Sequence, residues 1–132
     1  MFLAPLLAAP AVIQAHAFAA MAAFLIGLVQ FAAPKGTLPH RSLGWIWVLL
    51  MAGVALSSFW ITGVAGAGHF SWIHALSVVT LVALVLAVRA ARGGRIRAHQ
   101  RAMTIIFLGA LMLAGVFTLL PGRIMHRVLF GN

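Results

Sequence analysis

The sequence predicts an all-α fold, a bundle of four transmembrane helices in up-down topology. Hydrophobic residues make up 64% of the 132 residues, the mean hydropathy is +1.14, and the apolar residues fall in four separate stretches. A soluble domain of this length cannot bury so much apolar surface. In lipid, a stretch of about 20 apolar residues satisfies its backbone as a helix. We therefore expect a single integral membrane domain over residues 1–132.

The four predicted spans are close to the ~17 to 25 residues that cross the hydrocarbon. They are residues 8–33, 44–64, 72–88 and 102–120. The first span resembles a signal peptide around Ala15 and Ala17, but it lacks the basic residues that precede a signal peptide, so we interpret it as a helix that stays in the membrane. Turn-forming residues separate the spans: Pro34 to Pro39, Gly63 to Gly68, Gly93 with Gly94, and Pro121 with Gly122.

The charge composition limits the possible chemistry. The chain has nine Lys and Arg residues and no Asp or Glu, so its formal charge is +9 and its pI is about 12.0. Without carboxylates it cannot form a carboxylate acid/base pair, a calcium cage or a carboxylate proton relay. The absence of cysteine excludes disulfides and thiolate metal sites. These exclusions leave open whether the protein is an enzyme.

The basic residues predict the orientation. Seven of the nine lie in or beside the first and third gaps between spans: Lys35, Arg41, Arg89, Arg92, Arg95, Arg97 and Arg101. By the positive-inside rule these gaps face the cytoplasm, and both termini lie on the opposite side of the membrane. Basic residues between apolar segments favour contact with anionic lipid headgroups, and we expect no nucleic acid partner.

Four histidines occupy related positions in the predicted bundle. His16 and His74 lie near the same ends of the first and third spans, and His40 and His99 lie at the starts of the second and fourth. In an up-down bundle these pairs are diagonal neighbours, so each pair can meet on the bundle axis. His69, in a Gly-rich gap, and His126, in the tail, are expected to be solvated.

This arrangement suits haem b, with one or two haems each held by two imidazoles. His16, His40, His74 and His99 are the predicted iron ligands. Arg41 and Arg101 would bind the propionates of the inner haem, and Arg123, with Arg127, those of the outer one. Small residues on the His16 face of the first span, at Ala19, Ala20, Ala23 and Gly27, would admit a macrocycle, although membrane helices also pack through small residues without a cofactor.

Several sequence strings resemble a family of bacterial predicted membrane proteins that has no established activity. They are Pro34-Lys35-Gly36-Thr37, His40-Arg41-x-x-Gly44-Trp45, Ser58-Phe59-Trp60-Ile61, Phe70-x-x-Ile73-His74-x-x-Ser77, His99-x-x-x-Met103 and Phe117-Thr118-x-x-Pro121-Gly122-Arg123. The resemblance covers nearly the whole chain. It implies a multi-pass protein of the bacterial cytoplasmic (inner) membrane, in which the basic residues predict periplasmic termini. The histidine pattern is also distantly similar in architecture to the cytochrome b561 core, from which it departs by placing His40 before its helix.

Two functions remain open at this point. The first is an integral membrane b-type haem protein that transfers electrons, with quinone as a possible partner. The alternative is a non-enzymatic structural or assembly subunit of a larger membrane complex, in which the histidines are structural. An optical spectrum of the purified protein separates the two functions.

Overall fold

The computed structural model describes residues 1–61 and 72–131, and this part of the chain is helical throughout its regular structure. The helices are α1 (Ala4–Leu7), α2 (Ala11–Ala32), α3 (Leu38–Ser57), α4 (Trp72–Arg92), α5 (Ile96–Ile105), α6 (Ala114–Thr118) and α7 (Ile124–Phe130). A 3₁₀ turn, Ser58–Trp60, extends α3, and a π-helix, Ile106–Leu113, joins α5 to α6.

Four of these segments are long and apolar enough to cross a membrane, which confirms the predicted four-helix fold class. They are Ala11–Ala32, Leu38–Trp60, Trp72–Arg92 and Ile96–Thr118. We refer to them as spans 1 to 4. The bundle has two ends: the His16 end, which also contains Ser58 and the start of span 3, and the His40 end, which also contains His99 and the start of span 4.

Spans 2 and 4 begin several residues before the apolar stretches that predict them. Span 2 starts at Leu38 because Thr37 caps it, with the Thr37 hydroxyl accepting from the His40 amide at 3.3 Å, and Pro39 sits in the first turn where its missing N–H costs nothing. His40 therefore lies inside its helix, so the expectation that it precedes the helix is wrong. His99 likewise lies in the first turn of span 4.

Each span packs against two neighbours, and spans 1 and 2 and spans 3 and 4 form two closely packed hairpins. Span 2 also packs on span 3, and the π-helix of span 4 packs on both span 1 and span 3. The described core is a cluster of buried apolar side chains from all four spans: Ala23, Trp47, Met51, Leu84, Ala87, Ile106, Phe107 and Leu111.

Short helices at the two ends of the chain contact each other. Helix α1 packs against α7, burying Leu6 and Val128, and the Phe2 amide donates to the Val128 carbonyl at 2.6 Å. Gly131 has a φ of +81°, and a Cβ there would lie 2.7 Å from the Phe2 ring. The backbone at Gly131 thus needs glycine both for its conformation and for the close approach of Phe2.

Candidate functional site

His16 bonds to span 2. Its Nδ1 lies 2.8 Å from the Ser57 hydroxyl, and that hydroxyl donates its own proton to the Val54 carbonyl at 3.0 Å. In the network in which Ser57 donates to Val54, the His16 Nδ1 carries the hydrogen and donates it to the Ser57 oxygen. A neutral imidazole in this tautomer has an unprotonated Nε2, which can accept a hydrogen bond or bind a metal.

A small cavity lies beside His16 where all four spans meet. Its volume is about 70 Å³, and it is partly open. The lining is mostly apolar, with Met51, Ile73 and Leu76 among the larger side chains. The remaining lining residues are Val54, Ala55, Ser58, Ser77, Thr80, Ala110 and Ala114.

Three hydroxyl side chains form the polar part of this cavity wall. Ser58, Ser77 and Thr80 are each no more than 6% exposed. Ser58 Oγ lies 2.6 Å from the Ala55 carbonyl oxygen and Ser77 Oγ lies 3.0 Å from that of Ile73, while the Thr80 hydroxyl donates to Leu76 at 2.7 Å.

The Ser58 and Ser77 oxygens also lie within hydrogen-bond distance of each other across spans 2 and 3, so one of the two hydroxyls donates to the other and the second donates to its own helix. With bonds to their own helices and to each other, the buried hydroxyls satisfy their donors inside the protein.

His74 is buried at the same end of the bundle but is not part of the cavity lining. Its ring stacks on Phe59 with the centroids 5.7 Å apart and the planes 10° from parallel. His16 on span 1 and His74 on span 3 thus contact the end of span 2 from two sides. His16 contacts Ser57, and His74 contacts Phe59. Their predicted pairing on one haem iron stays a prediction.

The other predicted pair lies together at the His40 end. His99 is within electrostatic range of the His40 ring, and its Nδ1 lies 2.9 Å from the Ala87 carbonyl of span 3. A carbonyl only accepts, so His99 is also an Nδ1–H tautomer. Gln30 donates to the His40 carbonyl at 2.8 Å. Among the described residues, Gln30 Oε1 and His40 Nδ1 are buried without a hydrogen-bond partner.

The predicted arginine sites are less enclosed. Arg41 and Arg101 are exposed near the His40 end. Arg123 lies over the Phe117 ring, with its Cζ 5.2 Å from the centroid, and Phe117 in turn contacts Trp72 edge-on at 5.1 Å. This cation–π contact gives Arg123 a packing partner at the His16 end.

The remaining residues named in the sequence analysis are His126, Arg127 and His69. His126 is half-buried rather than solvated, and its Nδ1 bonds to the Leu119 carbonyl at 2.7 Å. Arg127 is exposed, in the last turn of α7. His69 lies outside the described residues.

The packing of residues 1–61 and 72–131 around the predicted ligands leaves less space than a haem needs. The small-residue face of span 1 is covered at Ala23 and Gly27, because a Cβ at Gly27 would lie 2.4 Å from the Phe107 ring and the Trp47 indole donates to the Ala23 carbonyl at 3.0 Å. The cavity beside His16, at about 70 Å³, is well below the ~300 Å³ at the lower end of small-molecule pockets. The imidazole tautomers suit iron, but the described packing does not, and haem binding stays a prediction.

No cluster of three or more potential metal-binding side chains occurs within residues 1–61 and 72–131. A haem held by two axial histidines would not form such a cluster, so this finding bears on other metal sites. A zinc or iron centre with three protein ligands of this type is not present in that part of the chain.

Sequence reasoning missed the hydroxyl residues of the cavity. Their signal is visible in retrospect, since His74, Ser77 and Thr80 follow one another at three-residue spacing and all three are buried on one face of span 3. Ser57 and Ser58 had no such signal, because span 2 ends there in a 3₁₀ turn that the sequence does not indicate.

Comparison with known families places the chain in one of them. A family model described as predicted membrane protein (DUF2306) matches residues 13–130, which include spans 2 to 4 and all but the first two residues of span 1. No curated protein and no solved structure gives a match. The match extends over nearly the full length of a chain whose described residues form four apolar helices, so this is a multi-pass membrane protein that belongs to the DUF2306 family.

Proposed function

We propose that this protein is a non-enzymatic structural or assembly subunit of a larger membrane complex. The observation that carries the proposal is the use of the histidines as links between parts of the bundle. His16 bonds to span 2 from span 1, His99 bonds to span 3 from span 4, and His74 stacks on the end of span 2. Histidines in these positions stabilise the helix arrangement, which is the role that a structural subunit requires of them.

The distribution of charge supports the same proposal. No carboxylate side chain is available within the chain to neutralise its nine Lys and Arg residues, so their counter-charges come from outside. Anionic lipid headgroups supply part of them at the basic His40 end, each residue contributing about 1 kcal/mol of attraction. Acidic surfaces of neighbouring subunits are the matching partners, and the short connections between spans leave little chain for a catalytic domain of its own.

The experiment is purification in a mild detergent from cells supplied with haem, followed by an optical spectrum and a native mass measurement. We expect no Soret band and a mass that includes companion membrane proteins in fixed stoichiometry. His16→Gln should lower the thermal stability of the protein and leave its optical spectrum unchanged. A monomeric protein with haem in a whole-number ratio would contradict the proposal.

A second candidate is the b-type haem protein that transfers electrons, with quinone as its partner. It is favoured by one observation: His16 and His99 are both held as Nδ1–H tautomers by a bond to the protein, which is the usual orientation of a metal-bound imidazole. Haem would supply one-electron redox chemistry, while the chain would contribute ligands and exclude water. Binding would require Trp47 and Phe107 to move from the bundle axis.

The haem candidate is tested by reduction with dithionite. If haem is bound, Soret and α bands sharpen. His74→Ala and His99→Ala should then each convert a different haem to high spin, because they lie at opposite ends of the bundle. If neither substitution changes the spectrum, these histidines are not the ligands.

The localisation that accompanies both candidates is the bacterial cytoplasmic membrane with periplasmic termini. The basic residues at the His40 end support this orientation through the positive-inside rule. Reporter fusions should place Arg95 in the cytoplasm and residues 1 and 132 outside. A cytoplasmic C-terminus would reverse the orientation.

A further inference from the structure

The proposed function does not use the cavity beside His16, although two bonds between spans, His16 to Ser57 and Ser58 to Ser77, border it. It lies where residues of all four spans meet, and its walls combine apolar side chains with four polar groups. Ligand sites have this composition, in which a mostly apolar wall carries a few placed polar groups. Those polar groups determine what the cavity can bind.

The polar side chains of the cavity wall can accept hydrogen bonds from a ligand but have no free proton to donate. Ser58 and Ser77 have two protons for three close contacts, two to backbone carbonyls and one between the hydroxyls, so both protons are used inside the protein whichever two contacts they occupy, and the Thr80 proton goes to Leu76. His16 Nδ1–H is used by Ser57, which leaves Nε2 as an acceptor. Three hydroxyl oxygens and one imidazole nitrogen therefore offer lone pairs, and no side-chain donor faces them in this bonding pattern.

Charge and size narrow the class further. A cation in this cavity would have no acidic counter-charge, since the chain has no Asp or Glu, and an uncompensated charge is costly inside a membrane. A volume of about 70 Å³ is roughly half of the ~150 Å³ cavity that holds a benzene ring, so a slender group fits and a six-membered ring does not. The ligand is therefore a neutral donor on a narrow chain.

We propose that this cavity binds the hydroxyl head of a neutral long-chain alcohol, or of a lipid with a free primary hydroxyl, drawn from the surrounding membrane. The hydroxyl shares its proton between two acceptors of the cavity wall, His16 Nε2 and the Thr80 oxygen, and the first carbons contact the apolar wall around Ile73 and Leu76. The partly open side of the cavity leaves room for the rest of the chain to pass out. This proposal does not depend on whether the protein is a subunit of a complex.

The π-helix in span 4 supports the same site independently. Ala110 lies in the π-helix and Ala114 directly follows it, and both line the cavity. Wider helical turns of this kind occur frequently at functional sites, where they change the register of a face without breaking the helix. Here the change brings two methyl side chains, rather than bulky ones, to the cavity.

The test uses the full chain in phosphatidylcholine nanodiscs. The probe is a twelve-carbon primary alcohol with a diazirine next to the hydroxyl end, and its methyl ether is the matched control. After illumination, mass spectrometry locates the adducts. We expect the alcohol to label the cavity segments, Val54–Ser58 and Ile73–Thr80, at least tenfold more than the ether does, because the ether leaves His16 Nε2 unpaired.

Two threonine substitutions test whether labelling by the alcohol depends on the polar wall of the cavity. Thr80→Val keeps the shape but removes an acceptor and should lower labelling by the alcohol roughly two- to tenfold. Thr118→Val is the control, because the Thr118 hydroxyl makes the same kind of bond to its own helix, at 2.6 Å to Gly115, on an exposed surface. Circular dichroism of both variants checks that they fold.

Three outcomes would overturn the proposal. The ether labels the cavity segments as strongly as the alcohol, the adducts spread over lipid-facing residues such as Leu25, Val79 and Leu108, or the two threonine variants behave alike. An even spread of adducts would mean that the alcohol does not occupy the cavity. Since haem content and native mass are not measured here, these outcomes are separate from those that decide the proposed function.

Discussion

The half of the bundle around Trp47 and Phe107 and the half around His16 fill the space between the spans in different ways. In the first, aromatic rings cover Gly27 so closely that a single added carbon would collide with Phe107. In the second, hydroxyl groups bond to their own helices and across spans, and a cavity remains between them. One half is held by shape and the other by hydrogen bonds, so the two should respond oppositely to added and removed atoms.

The largest expected effect is from Phe107→Ala in the closely packed half. Phe107 is 5% exposed and contacts Phe24 and Phe31, so its removal opens a cavity that neighbouring helices cannot fill. We expect a loss of about 3 to 5 kcal/mol of unfolding free energy, measured by denaturation in mixed micelles. Leu108→Ala, one residue further along and facing outward, should cost far less. Equal losses would mean that the ring does not hold the spans together.

Adding one carbon in the same half should be the next most damaging change. In Gly27→Ala the new Cβ meets Phe107, and overpacking of this kind costs about 1 to 3 kcal/mol. Gly53→Ala is the matched control, since nothing lies within 4 Å of a Cβ at Gly53. Thermal unfolding of the two variants should differ clearly. If both melt like the unaltered protein, the close approach of Phe107 to Gly27 is not needed for stability.

Adding atoms in the half that has the cavity should have the opposite sign. Ala114→Leu places a larger side chain at the cavity wall, and filling a cavity contributes about 0.5 to 2 kcal/mol of stability. Ala75→Leu, on an exposed position of span 3, adds the same atoms outside the bundle and should change little. A destabilised Ala114→Leu variant would show that the cavity walls cannot accommodate even apolar atoms.

The smallest effect is expected at the surface of the His40 end. Arg97 is exposed, and Arg97→Gln removes one of the charges that attract anionic headgroups, at about 1 kcal/mol. Binding of fluorescent anionic lipid to the purified protein should weaken about fivefold. The weakening should disappear at high salt, because exposed charges are screened. Loss of folding in this variant would instead require a specific partner for Arg97.

The sequence predicts the helices better than it predicts what lies between them. Apolar runs locate four spans because the length and hydropathy of a membrane helix are properties of the chain alone. Hydropathy does not predict that spans 2 and 4 start at Leu38 and Ile96, since caps and turns decide where a helix begins. The His40 and His99 positions were inferred from helix direction, which needs only the count of spans.

The sequence does not predict which side chains contact each other across the bundle. The small residues of span 1 indicate close packing but not the partner, which proves to be Phe107 and Trp47. The bond from His16 to Ser57 depends on the rotation of span 2 about its own axis and on a 3₁₀ end. Neither is set by a local pattern, because both result from how all four spans settle against one another.

The contact between α1 and α7 has a consequence for how the chain could be rearranged. Since residues 2 and 128 share a hydrogen bond, a short linker could join the two ends, and the chain could be opened instead at Gly93 and Gly94. The circular permutant would keep every span and its neighbours, because folds with adjacent termini commonly tolerate circular permutation. Its new ends would emerge beside the arginines, so the order in which spans enter the membrane would change while the fold did not.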